Sequence, residues 1–341
     1  MFNPNFKLDT NLFQIINECE RFYGQLESLK IPRKIELNLE RDTKIKSSYI
    51  SNSMEGNPLS LPEVTNLLLD DRVPTNRDEK EIVNYFNILK TLDEYNDGQL
   101  NLQKVLQIHK DLMSGVSDKI AGKVRNKPII VGKYKEEEGK VKLDIKHNPP
   151  SHKKEELEKL LKELIKWAND SDLPAILKTG IFHHEFVYIH PFEDGNGRTC
   201  RLLTALLLIK EEYQINKYFV LDDYYDVDRK AYSDALHTAD KGDKSKWLEY
   251  FSQGCKYSLQ TALSRVKNSI NTLKVSERPT KREKEVFELI QERKEITAAE
   301  VAKILDISRQ QAHNLLKGLV EKGLVAKEGS TKASYYKLKK V

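Results

Sequence analysis

Two apolar stretches, IFHHEFVYI at 181–189 and LLTALLLI at 202–209, are separated only by HPFEDGNGRTCR at 190–201. This juxtaposition limits the fold more than any other feature of the chain. Stretches so rich in apolar side chains call for burial, whereas a segment of histidine, acids, glycines and arginines does not suit a core. The pattern predicts a polar loop carried between two segments of a helical scaffold.

The surroundings agree with a mainly α fold. LFQIINECERFYGQLESL, EIVNYFNILKTLDEY and KEELEKLLKELIKWAND place apolar residues at three- and four-residue steps, the mark of amphipathic helices. Residues 121–151 break the pattern with β-branched runs divided by KEEEG, which predicts a β-hairpin followed by an extended Pro-Pro segment. A long amphipathic stretch over 244–273 leads into KVSERPTKRE, which has the composition of a linker. Beyond it, three helical segments, a short strand, an STKA turn and a second strand are the parts of a winged helix-turn-helix. Thr297 followed by Glu300 predicts a capping box on the middle helix.

Composition sets further limits. The longest apolar run, 202–209, is far too short to cross a bilayer, and the N-terminal sequence lacks a secretory pattern, so a cytoplasmic protein without membrane contact is expected. The 3 cysteines have no metal-ligand spacing, in keeping with reduced thiols. From Pro279 onward fourteen basic side chains face nine acidic ones, an excess equal to the +5 of the whole chain.

Within 190–201 each residue type has a chemical reading. His190 suits a proton acceptor near neutral pH, and Asp194 offers a hard oxygen to Mg²⁺. Gly195-Asn196-Gly197 lets backbone approach a phosphate at the start of a helix, where N–H groups are unsatisfied. Arg198 and Arg201, three apart, share a helix face and can hold further phosphate oxygens. Together they point to nucleotidyl or phosphoryl transfer.

The string resembles the Fic family signature His-Pro-Phe-x-Asp/Glu-Gly-Asn-Gly-Arg-x-x-Arg, with every specified position present. The resemblance implies a Fic-type helical domain with a β-hairpin flap, and transfer of AMP from ATP to a Tyr, Thr or Ser hydroxyl of a target protein. By it His190 is the general base and Asp194 holds Mg²⁺ at the α- and β-phosphates. Asn196 with the Gly195 and Gly197 amides forms an anion hole, Arg201 meets the γ-phosphate, and Arg198 supports the phosphates or the loop. Val131, Gly132 and Lys133 of the flap pair with an extended target segment, Tyr232 stacks on adenine, and Asp240 meets its polar edge. SNSMEG at 51–56 matches the family's inhibitory pattern, which assigns Ser51, Glu55 and Gly56 to an inhibitory turn whose Glu55 takes Arg201. The implied organisation is an N-terminal helical region at 1–110, a catalytic core at 111–275 with its flap at 122–146, and a winged helix-turn-helix at 276–341.

Alternatives differ in strength. A zinc protease helix needs a histidine at 188, where Tyr188 stands, and no P-loop string occurs. Removal of AMP with Glu55 activating water stays open, as does a transcription regulator whose Fic part is a sensor. In the latter, Ser308, Arg309, Gln310, Gln311 and His313 would enter a DNA groove with Lys332 and Lys337 near phosphates, a mode compatible with catalysis. Protein docking by the winged helix and a homo-oligomer also remain open.

Overall fold

The computed structural model describes residues 2–137, 140–215, 217–276, 279–329 and 334–339. Two compact units result, Met1–Val266 and Lys267–Val341.

The first unit opens with α1 (Thr10–Glu27), α2 (Arg33–Met54), α3 (Leu61–Leu69), α4 (Arg77–Lys90) and α5 (Leu102–Met113). Short polar side chains start several of them: Asp9 accepts from the Leu12 amide, Asn76 from Glu79 and Asn101 from Lys104. Helices α2, α3 and α4 share a small core of Ile45, Val64, Leu67 and Ile82, with Tyr49 of α2 packed against it. The expected hairpin follows as β1 (Val131–Glu137) and β2 (Lys140–His147), antiparallel, with Val131 opposite His147 and a register shift between Val131 and Gly132.

Next come α6 (Lys154–Asp170), α7 (Ala175–Ile189), α8 (Asn196–Lys210), α9 (Asp222–Val227), α10 (Arg229–Thr238) and α11 (Ser245–Ser276), the last of which runs on past Val266. The apolar stretches that flank the polar loop are α7 and α8. Both are buried around most of their circumference, which explains why neither shows a polar face. They pack on each other, with α6 against α7 and α2, α4 and α5 against α8. Helix α11 closes on α7 at Gly180, where an added Cβ would stand 2.9 Å from Phe251. Trp247 Nε1 donates to Gly180 O at 2.7 Å in the same contact.

The second unit contains α12 (Lys281–Arg293), β3 (Glu295–Ile296), α13 (Ala298–Ile304), α14 (Arg309–Glu321), β4 (Val325–Glu328) and β5 (Tyr335–Leu338). The sheet order is β3-β5-β4. The three helices bury Val286, Ile290, Val301, Leu316 and Leu319 against Tyr336. The Thr297–Glu300 capping box is present, and Ser308 with Gln311 forms another on α14. The STKA turn at 330–333, with Lys332, lies outside the described residues, and of Lys133 only the backbone is described.

Candidate active site

Residues 190–195 join α7 to α8 and are bounded by two left-handed backbone positions, His190 at φ 49° and Gly195 at φ 76°. Gly195 accepts that conformation freely. His190 does not, so its surroundings must impose it. They do so through Arg125, a residue that no motif had singled out. Its side chain is buried and donates to His190 O at 2.7 Å, Lys127 O at 2.8 Å and Ser151 O at 2.8 Å, while its backbone amide donates to Pro191 O. One guanidinium thus holds the chain as it leaves α7.

Asn196 completes the turn from inside. Its Oδ1 accepts from Phe192 N and its Nδ2 donates to Phe192 O, both at 2.9 Å, so both ends of the amide are spent on closing the loop. Phe192 is buried and stacks on His109 with ring centroids 3.6 Å apart. Gly122 N donates to His109 Nδ1, which leaves Nε2–H to donate to Asp194 O at 3.1 Å. Burial pushes the His109 pKa down to about 4, so the ring is a neutral support with a fixed tautomer.

The His190 ring has a defined tautomer too. Nδ1 lies 3.1 Å from Val187 O, a pure acceptor, and therefore carries the proton; Nε2 is the acceptor. Burial lowers its pKa to about 4, keeping it neutral at physiological pH. Asp194 is 46% exposed in its side chain, with Oδ1 receiving the Gly195 amide at 2.6 Å and Oδ2 lying 3.3 Å from Arg77.

The two arginines point to different partners. Arg198 contacts Glu81 of α4 at 3.1 Å, Asn52 of α2 at 3.3 Å and Asp194 at 3.6 Å. Arg201 reaches the end of α2, where Nε donates to Ser51 Oγ at 2.7 Å and Nη2 donates to both Ser51 O and Glu55 Oε1 at 2.8 Å. Burial works against the Arg201 charge, but the Glu55 and Asp222 carboxylates outweigh it and raise its pKa. Gly56, at φ 93°, ends α2 just beyond Glu55. Arg229 secures that end with bonds to Ser53 O and Oγ at 2.9 Å.

Glu55 also meets α8. A Cβ built on Gly197 would stand 2.1 Å from Glu55 Oε1, so the carboxylate rests on the first turn of that helix. The helix ends therefore cap each other: Arg201 serves the carbonyl end of α2 while Glu55 supplies negative charge at the amide end of α8. An anion placed there would meet α8 amides and Arg201 together, and Glu55 is in its place.

Of the more distant expected residues, Tyr232 has its OH 2.9 Å from His183 Nε2 and its ring 4.5 Å from that of Tyr225. Asp240 has Oδ1 3.0 Å from His184 Nε2 and Oδ2 2.9 Å from His237 Nδ1 and 3.3 Å from His147 Nδ1. Its two oxygens are engaged by these three histidines. In the second unit, Arg309, Gln310 and His313 are exposed on α14, whereas Ser308 and Gln311 cap each other and Lys337 pairs with Glu328.

A buried helix pair presenting a strained, arginine-clamped loop at a helix N-terminus, followed by a winged helix, defines the architectural class. Residues 99–208 match the model of the Fic/DOC family and residues 280–333 that of the MarR family. The chain thus contains a Fic/DOC family domain and a C-terminal winged-helix region of MarR type. It is 24% identical over 296 residues to protein adenylyltransferase fic-1 of Caenorhabditis briggsae, covering 83% of this chain and 54% of that protein. It is 28% identical over 229 residues to protein adenylyltransferase Fic of Aedes aegypti, covering 62% of this chain and 40% of that one. The chain spans about half the length of the nematode relative. Among solved structures, a Fic family protein from Desulfovibrio desulfuricans G20 aligns with a TM-score of 0.68 at 20% identity, over 99% of this chain and 98% of the other. Fic-1 of C. elegans aligns with a TM-score of 0.61 at 21% identity, over 76% and 73%. These two likenesses concern the fold. Among the described residues no helix is long and apolar enough to cross a membrane.

Proposed function

We propose that this protein transfers AMP from ATP to a Tyr, Thr or Ser hydroxyl of a target protein, and that Glu55 restrains the activity. The observation that carries the reading is the Glu55 carboxylate lying against Gly197 and Arg201, in a seat that suits phosphate oxygens, on the same loop as a neutral histidine with a free acceptor nitrogen.

In this reading His190 Nε2 takes the proton of the target hydroxyl, whose oxygen attacks the α-phosphorus as the bond to pyrophosphate breaks. The first turn of α8, with the Gly195 and Gly197 amides, receives phosphate oxygens, and Arg201 receives the γ-phosphate once Glu55 withdraws. Asn196 acts by closing the loop through Phe192, and Arg198 by tying it to Glu81 and Asn52. Tyr232 borders the adenine, and the backbone of Val131, Gly132 and Lys133 pairs with the target segment.

Asp194 fits a hard divalent cation, since its carboxylate is half-exposed and its cationic neighbours stand at 3.3 Å and 3.6 Å. Bound Mg²⁺ would supply neutralisation of the triphosphate charge there. The exposed Arg309, Gln310 and His313 of α14 support DNA binding by the second unit as an activity alongside transfer.

Parallel incubations with ATP labelled at the α- or the γ-phosphate test the reaction. Label entering protein from the α position, and lost in His190→Ala, is expected. Label entering from the γ position would replace AMP transfer by phosphorylation.

A further inference from the structure

The base of the hairpin meets the end of α10 in a cluster that takes in Asp240, the residue the resemblance placed at the polar edge of adenine. His147 is the last residue of β2, and its side chain is only 3% exposed. His237, in the last turn of α10, and Asp240, in the 3-10 turn Ala239–Lys241 that follows, are three residues apart and face it together. One ligand atom from each of His147, His237 and Asp240 lies within 4.8 Å of the others. The closest approaches are 3.3 Å from His147 Nδ1 to Asp240 Oδ2 and 2.9 Å from His237 Nδ1 to the same oxygen. A tetrahedral ion with bonds of about 2.0–2.2 Å keeps its ligand atoms about 3.3–3.6 Å apart, so a cation enters with small shifts.

Hydrogen bonds from outside the cluster orient its members. His147 Nε2 is 2.7 Å from Tyr188 O, which only accepts, so that nitrogen carries the proton. Nδ1, the other ring nitrogen, faces the Asp240 carboxylate. His184 is arranged the opposite way. Lys244 Nζ donates to its Nδ1 at 2.9 Å, leaving Nε2–H to donate to Asp240 Oδ1 at 3.0 Å. Oδ1 thus takes the His184 proton, while Oδ2 lies 2.9 Å from His237 Nδ1 and 3.3 Å from His147 Nδ1, one carboxylate oxygen between two imidazole nitrogens. A cation placed among these three atoms would meet both nitrogens and the carboxylate oxygen at once.

We propose that this cluster is a divalent transition-metal site, with His147 Nδ1, a ring nitrogen of His237 and Asp240 Oδ2 as protein ligands for an ion of the Zn²⁺ class. Two imidazoles and one carboxylate suit Zn²⁺ far better than Mg²⁺. Tyr188 O and His184 supply the outer contacts that a metal site needs, one fixing the imidazole tautomer and the other turning the carboxylate. The ion fastens the foot of the hairpin, where His147 pairs with Val131, to the end of α10. The site stands whether or not the protein transfers AMP.

The test is Zn²⁺ titration of the full chain, freed of metal by a chelator, in competition with a chromophoric chelator. One tight Zn²⁺ per chain is expected, unaffected by millimolar Mg²⁺. Outer-contact losses weaken such sites about 10- to 100-fold, so removal of a ligand in His237→Ala, or in the isosteric Asp240→Asn, should weaken binding by about 100-fold or more. Asp194→Ala and His313→Ala should leave it intact. Zn²⁺ should also slow hydrogen exchange at the Val131 and Gly132 amides. Binding that survives both ligand substitutions overturns the proposal. So does an absence of tight Zn²⁺ binding by the metal-free chain.

Discussion

Replacing Glu55 by glycine should accelerate AMP transfer, and the contacts set the scale. The substitution removes the 2.8 Å bond to Arg201 and the carboxylate lying on Gly197, but keeps the Ser51 contacts that orient the guanidinium. A hydrogen bond to a charged group contributes about 1.5–3 kcal/mol. The Glu55 side chain is 38% exposed, so solvent screening favours the lower end of that range. Recovering about 1.5 kcal/mol for the γ-phosphate contact gives an acceleration of about tenfold, with more if the lost carboxylate also repelled the triphosphate. Initial rates of transfer from α-labelled ATP, at matched protein concentration, measure it. Glu55→Gln, which keeps a hydrogen-bond acceptor without the charge, should fall between. Arg201→Ala should not accelerate, and Glu55→Gly/Arg201→Ala should resemble Arg201→Ala. A Glu55→Gly rate equal to wild type refutes the competition argument. If that variant is instead slower at releasing AMP from a modified protein, Glu55 serves hydrolysis.

Arg125→Ala leaves the carbonyls of His190, Lys127 and Ser151 without their donor, and should cost about 3 kcal/mol of stability, read as a lowered denaturant midpoint; an unchanged midpoint would remove its clamping role. The His190 pKa of about 4 means the base is lost only as pH falls through that value, so kcat/KM at a pH where the protein stays folded should show no loss centred near 6.5. His109, His183 and His190 are depressed to about 4, 3 and 4, so the unfolded chain takes up more protons once pH drops below about 6.5, and stability falls. Asp222, raised by burial to about 6, opposes this, leaving a net loss of about 3 kcal/mol between about pH 7.5 and 5.5, measurable by denaturant titration at the two values. For the second unit, retention of the full chain on duplex DNA should fall steeply with salt and weaken in Arg309→Ala; salt-independent behaviour would favour a protein partner.

What could be read in the sequence was local. The segment 190–201 carries its residues at fixed spacing, so a chemical reading of it needed no tertiary contact, and the Thr297–Glu300 box was legible for the same reason. The resemblance of the hexamer at 51–56 to a family pattern led to the Glu55–Arg201 contact, which the structure contains. Arg125 left no signal: a buried arginine that serves carbonyls has neither an acidic partner nor a periodic position. Glu81 and Asn52 on Arg198, and His109 under Phe192, are likewise products of tertiary packing. The family resemblance placed Asn196 in an anion hole; its side-chain amide bonds within the loop, to Phe192 four positions earlier, a partner that only the folded turn reveals. Strand β3 is two residues long, below what alternation can reveal.

The central claim is that the loop after α7 transfers AMP through His190 and is held back by Glu55. Its most direct test is the intact mass of Glu55→Gly after incubation with ATP and Mg²⁺, beside Glu55→Gly/His190→Ala and wild type. The account predicts adenosine monophosphate adducts on Tyr, Thr or Ser in the single variant, few on wild type, and none on the double variant. Equal adducts on both variants, or a mass gain of phosphate alone, would contradict it.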